Sequence, residues 1–390
     1  MLPLGFSAFL VFGVVLVLVG ANQAALARDF SLDLARSGLL GSALVLGIGV
    51  GVVGAGPLVD RHPRRPLWVV SMGLAAVALL GVSPQMGFGR MLVQLAFVGL
   101  ALGLYDTLVS TLVVERFRER AMRPMSAVHS AATLGAMLGP PLAAWLEAGS
   151  GWAASFHAAG WAHLALGAAG LVIALPAPGG DGARGAEPGP RPRLPVLTPA
   201  LLPFALASFA YVGIESALTV FAVPYATQGH ALGTARGLAS ISSFWMGLFA
   251  GRLIPFALPF APDARWIAAA GAAGAAALVI GGAVPAPELV FGAVGLALGC
   301  VYPLAIALVG QRFPAARGTA TGLTAGAGAL GGFAVPWLHG ALGDRFGVHA
   351  AVGSLALWSL VVGGAALLAR SGTFAGTPSS RSQRRCGLRR

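Results

Sequence analysis

Two carboxylates, Asp106 and Glu215, stand well inside long apolar stretches of a chain in which only 10% of 390 residues are charged. An ionised side chain at the centre of a bilayer costs at least about 2.5–3.5 kcal/mol, so an acid retained there is a functional candidate. A carboxyl that gives up its charge readily in an apolar setting can load and release protons. Gly99, Gly103, Asp106 and Ser110 fall at i, i+4, i+7 and i+11. On a helix this makes one small and polar stripe, suited to a cavity. Asp106 is therefore expected to carry the proton, against the alternative of a structural hydrogen bond to a neighbouring helix. Glu215 is expected to join the coupling, to bind solute hydroxyls, or to pair with a basic group. Asn22, Gln23, Ser110, His129, Tyr211 and Trp245 supply uncharged hydrogen-bonding groups and rings for a bound solute. Arg252 suits an internal ion pair or a gate.

Other chemistries find no residues to perform them. The glycine-rich run from Gly322 to Gly332 has no Lys and none of the strand–helix context that a phosphate-binding loop needs. Cys300 and Cys386 form no metal-ligand spacing or disulfide framework. No nucleophile–base set stands out. Neither a cofactor, a metal nor an enzymatic reaction is expected.

The elements that must position these residues are membrane helices. The chain is 57% hydrophobic, with a mean hydropathy of +0.81, whereas a soluble domain carries roughly 25% charged residues. About twenty residues cross a ~30 Å hydrocarbon core as a helix. Such segments are predicted over 4–23, 37–59, 67–84, 91–114, 124–146 and 152–176. They resume over 200–225, 237–259, 266–284, 288–310, 318–342 and 349–369. The first lacks the basic start of a secretory signal and is expected to stay as a helix. The stretch between the two sets is rich in Pro, Gly and charge and cannot form a packed core. The predicted organisation is a six-helix bundle over 1–177, a linker over 178–199, a second bundle over 200–370 and a basic tail over 371–390.

The net charge of +12 comes from arginine alone, since the chain has no lysine. With abundant Ala, Gly and Pro, this composition suggests a bacterial genome of high GC content. The positives sit in short loops and the tail, not on a folded basic face, so nucleic acid is not an expected partner. Arg61, Arg64 and Arg65, then Arg116, Arg118, Arg120 and Arg123, fall on one side together with the linker and tail arginines. Arginine excess marks the cytoplasmic side, which predicts both termini in the cytoplasm of a bacterial inner membrane. The expected partners are lipid, protons and a small-molecule substrate, and the expected unit is a monomer.

The two halves repeat. Val98-Gly99-Leu100-Ala101-Leu102-Gly103 recurs from Val294 to Gly299, an offset of 196 residues. Arg116-Phe117 and Arg312-Phe313, Leu134-Gly135 and Leu330-Gly331, and Pro140 and Pro336 share that offset. Parallel six-helix halves around a midplane site are the plan of major facilitator transporters. The segment Gly56-Pro57-Leu58-Val59-Asp60-Arg61-His62-Pro63-Arg64-Arg65 resembles the G-x-x-x-D-R-x-G-R-R loop of that superfamily, with Pro63 in place of the usual Gly. The resemblance implies a cytoplasmic gate made by Gly56, Asp60, Arg61, Arg64 and Arg65. Gly135 to Pro141 is similar to the superfamily's G-x-x-x-G-P element.

Further segments resemble the fucose:proton symporter family. These are Gly103 to Ser110, Met125 to His129, Tyr211-Val212-Gly213-Ile214-Glu215, and Phe244-Trp245-Met246-Gly247 followed by Gly251-Arg252. Ala21-Asn22-Gln23 departs from it where many members have Asn-Asp. The fold class implied is an all-α membrane protein of twelve helices in two pseudo-symmetric bundles. The function implied is proton-coupled transport of a sugar or similar polar metabolite by alternating access. A proton-driven exporter on the same fold and a non-transporting receptor or assembly factor are the alternatives.

Overall fold

The structure is a computed structural model that describes residues 1–117, 122–173, 199–257, 263–313 and 316–370. The linker, apart from Pro199, the basic tail, Arg118 and Arg120 lie outside them, as does the side chain of Asp60. Every regular element among the described residues is helical. The first half contains α1 (Leu2–Ala21), α2 (Gln23–Phe30), α3 (Leu34–Arg61), α4 (Arg64–Leu80), α5 (Phe88–Phe117), α6 (Met122–Ser150) and α7 (Ala153–Val172). The second contains α8 (Leu202–Pro224), α9 (Thr234–Ala257), α10 (Ala264–Gly281), α11 (Pro287–Leu298), α12 (Val301–Arg312), α13 (Arg317–Phe346) and α14 (Val348–Arg370). Counting α1 with α2 and α11 with α12 as single crossings gives the twelve crossings of the fold. Eight are apolar spans by length and hydropathy. Of the others, α4 is only 17 residues long, and α6, α7 and α13 are diluted by Gly, Ser, Thr and His.

The breaks have local causes. Pro303 lacks an N–H and its ring clashes with the carbonyl four residues earlier. That residue is Gly299, and the segment read as one helix over 288–310 divides there into α11 and α12. At the end of α1, the Asn22 amide turns back to the Leu18 carbonyl (2.8 Å) and to Ser155 Oγ (2.9 Å). The chain then resumes as α2. Asp33 caps α3 by accepting from the Arg36 N–H at 2.7 Å, and Asp263 caps α10 through the Arg265 N–H at 2.8 Å.

The packing repeats between halves. α1 packs on α6, α3 on α5 and α4 on α7; correspondingly α8 packs on α13, α9 on α11 and α10 on α14. Glycines make the crossings possible. A Cβ on Gly47, Gly51, Gly99 or Gly103 would run into the backbone of the facing helix, α5 or α3. The same holds for Gly247, Gly251, Gly295 and Gly299 between α9 and α11. Small residues four apart let backbones touch in a membrane, where there is no hydrophobic force to pull helices together. The stripe expected to face a cavity thus divides: Gly99 and Gly103 are buried against α3, and only Asp106 and Ser110 remain half-buried.

The halves meet along α3 with α13 and along α6 with α9. At one end of the first seam the Asp344 carboxylate accepts from the Leu34 N–H (2.8 Å) and the Ala35 N–H (2.9 Å). These amides open α3 and have no partner within their own helix. Gly38 lies against Pro336, Ser42 donates to the Phe333 carbonyl at 2.5 Å, and Gly49 meets Ala329. Beyond that the seam parts: Gly54 and Gly56 on α3 and Gly322 and Gly326 on α13 have open space around them. The interior is therefore closed at the end bearing Asp344 and open at the end bearing Arg61. Asp344→Ala is expected to loosen the closed end. A cysteine placed at Ser42 should then react faster with a soluble maleimide than in the parent background, by about fivefold or more for a lost 1–1.5 kcal/mol.

Candidate functional site

Two helices from the first half, α5 and α6, and three from the second, α8, α9 and α12, bring polar residues to the interior. Asp106 on α5 accepts from Ser110 Oγ at 3.4 Å, one helical turn away, and faces the imidazole of His129 on α6. His129 is solvent-reachable and rests edge-on against Phe9 of α1, ring centroids 4.9 Å apart. Beside it, Thr133 Oγ1 accepts from Arg252 Nη1 at 2.5 Å. This bond joins α6 to α9 across the two halves. Arg252 in turn faces Tyr211 and Glu215 on α8. Tyr211 lies within reach of both, yet its hydroxyl completes a hydrogen bond to neither. Tyr302 on α12 stacks on Tyr211 at 5.9 Å and 23° and faces Asp106, Glu215 and Arg252 alike. The two intramembrane acids are therefore members of one cluster.

Trp245 sits two turns from Arg252 on the same face of α9. With Glu215 it lines a cavity whose remaining walls are largely apolar: Leu16 and Val19 of α1, Leu44 and Val45 of α3, and Val220 of α8. That cavity lies toward the closed end, and Arg252 toward the open one. Arg252, expected from the sequence to suit an internal ion pair or a gate, bonds Thr133 and faces Tyr211 and Glu215 within the cluster.

The other expected residues lie apart. Asn22 spends its amide on Leu18 and Ser155, and Gln23 Nε2 donates to Ser37 Oγ at 3.3 Å. Both are buried at the junction of α1 and α2. At the open end Arg61 and Arg65 are exposed, whereas Arg64 is buried and donates to Glu115 on α5 at 2.5 Å. Gly56 borders the open space. Tyr302 and Thr133 were not singled out in the sequence. Pro303 was the available signal for Tyr302, because it breaks the helix at that point. Nothing in the local pattern marked Thr133, whose partner is 119 residues away. Among the described residues, no group of three or more His, Cys, Asp or Glu side chains is placed to hold a metal.

Comparison with known proteins agrees with this architecture. The Major Facilitator Superfamily profile matches residues 4–289. The probable nitrate/nitrite transporter NarK2 of Mycobacterium tuberculosis is 30% identical over 358 residues, covering 87% of this chain and 88% of that protein. The cis,cis-muconate transport protein of Acinetobacter baylyi is 28% identical over 158 residues, 40% of this chain and 38% of its own. A bacterial homologue of the human lysosomal transporter Spinster, inward-facing and unoccupied, superposes with a TM-score of 0.74 at 14% identity, over 94% of this chain and 96% of that one. A mutant of the nucleoside transporter NupG gives 0.75 at 14% identity, over 94% and 98%. At these identities the two structures speak for the fold alone. With the profile covering most of its length and the helix pairings in place, the chain belongs to the Major Facilitator Superfamily and is a multi-pass membrane protein of secondary transport.

Proposed function

We propose that the protein is a proton-coupled transporter of a small polar solute, with Asp106 as the group that loads and releases the proton. The observation that carries the reading is the setting of Asp106. Its carboxyl stands in the apolar run of α5, half-buried, with one long hydrogen bond from Ser110 and the imidazole of His129 facing it. An acid so placed is poorly compensated when ionised and, being only half-buried, can exchange its proton. The seams open at one end and shut at the other, as alternating access requires.

The solute is the finer question. The resemblance to fucose:proton symporters favours a sugar. Sugar hydroxyls call for many polar partners, but Asn22 and Gln23 already spend their amide N–H groups within the chain. NarK2 and the muconate protein are named for anions, which favours a charged solute. The arginine excess favours the open end and both termini on the cytoplasmic side of a bacterial inner membrane, and the single chain contains both halves of the site. On that sidedness the cavity faces inward.

Reconstitution in liposomes with a trapped pH dye tests the reading, with sugars, small carboxylates and nitrate offered outside. Acidification of the lumen by one compound is expected for symport. Alkalinisation would mean exchange, and the exporter reading, supported by the Gly139-Pro140-Pro141 element of α6, would replace it. Silence across the whole panel would overturn proton coupling.

A further inference from the structure

Three buried donors in the interior have no partner among the described residues: Arg252 Nε, Tyr211 Oη and Trp245 Nε1. Tyr211 is 2% exposed and Trp245 3%. A buried donor without an acceptor is costly, and three in one region point to acceptors that arrive from outside the chain. One donor is a guanidinium, so the ligand that satisfies them is rich in acceptors and negative. Thr133 pins Nη1 of that guanidinium and fixes its direction. Trp245 and Arg252 are seven residues apart, about 10 Å along α9. The space beside Trp245 and Glu215, about 20 Å³ as it stands, is walled by Leu16, Leu44, Val45 and Val220, with Ser216 and Thr219 among them. A carboxylate at the arginine end would therefore point its apolar body toward that space, which must widen to admit it.

Glu215 decides what accompanies the ligand. Arg252 takes part in no ion pair among the described residues, and Glu215 is the carboxylate that faces it, with Tyr211 between them. The groups facing Glu215 are Tyr211 on its own helix, Arg252 on α9 and Tyr302 on α12, with Asp106 beyond Tyr302. Its neighbours on α1 and α3 in the cavity are apolar or glycine. An anion arriving at Arg252 while Glu215 stayed ionised would set two negative charges on one cation in a poorly solvated site. The charge is balanced if Glu215 takes a proton from cavity water as the anion enters.

We propose that the solute is an organic monocarboxylate seated on Arg252 and Tyr211 with its apolar end beside Trp245, and that it displaces Glu215 as counter-charge, driving one proton onto Glu215. This rests on the transporter reading above and adds a solute class and a second proton site to it.

The test uses purified full-length protein in lightly buffered detergent with a pH indicator. The probes are benzoate and hexanoate, with benzamide and hexanamide as neutral isosteres. At least one acid is expected to bind about 100-fold or more tightly than its amide, taking up about one proton per anion bound. Glu215→Gln should still bind the acid but take up none. Arg252→Gln should lose binding. Tyr211→Phe, which keeps the ring, should weaken binding about tenfold, so the proposal stays testable if the arginine variant fails to fold. The proposal is overturned if neither acid binds, if the amides bind as well as the acids, or if proton uptake persists in Glu215→Gln. Asp106→Asn, measured in the same assay, separates the two acids. Uptake lost there but retained in Glu215→Gln would leave the Asp106 reading standing and sink this one. Binding with proton uptake but no proton-driven accumulation in liposomes would do the reverse.

Discussion

Asp106→Asn is expected to abolish proton-driven accumulation, reducing it to the level of empty liposomes, while solute exchange across a membrane without a pH gradient continues. Asn has nearly the shape of a protonated Asp and can still meet Ser110, whose hydroxyl lies 3.4 Å from the native carboxylate. It cannot ionise, so the carrier would be held in the state that a loaded proton creates. Exchange of one solute molecule for another needs no change in that state, whereas net uphill transport does. Accumulation and counterflow measured on the same vesicles separate the two. Accumulation at the parent level in Asp106→Asn would move the coupling proton elsewhere, and Glu215 would be the next residue to test. Loss of both activities would indicate damage to the bundle, which His129→Ala, a change at a solvent-reachable position, would help to localise.

The second large effect is on folding. Gly135→Val and Gly331→Val are each expected to cost more than about 3 kcal/mol and to remove most of the folded protein. A Cβ on Gly135 would enter the Leu10 carbonyl of α1, and one on Gly331 would enter the Phe209 carbonyl of α8. Backbone cannot step aside as the tip of a flexible side chain can. Gly73→Val on α4 is the control, because nothing lies within 4 Å of the added carbon. Yield and thermal midpoint in detergent report the outcome. A Gly135→Val protein as stable as the Gly73→Val protein would mean that α1 and α6 do not touch as described.

These two glycines also show what the sequence could reveal. Gly135 and Gly331 are 196 residues apart, the offset at which the two halves repeat, and the structure gives both the same task in equivalent helix pairs. Gly99 and Gly295, and Gly103 and Gly299, share the offset and the task. The repeat was legible because close backbone contact admits only glycine, leaving a fixed letter where other positions drift among Ala, Leu and Val. The acids were legible for a similar reason, since few residues are as costly in a bilayer. What remained hidden depended on distance in the chain. That Asp106 and Glu215 belong to one cluster follows from Tyr302 of α12 facing both, and no local pattern encodes that meeting. The cavity-facing stripe failed in part because a period of 3.6 places residues on one face without saying whether that face meets water or another helix.

The contact between Asp344 and the start of α3 has a mechanical consequence. α3 is locked to α5 through backbone contacts at Gly47, Gly51, Gly99 and Gly103, and α13 is locked to α8 through Gly331. Asp344 therefore ties the beam that carries Asp106 to the beam that carries Glu215. Prising the closed end apart is expected to move one acid relative to the other. If these acids hold the coupling proton as proposed, weakening the tie at Asp344 is expected to alter their proton affinity from the far end of the helices, with no change to any residue that touches them.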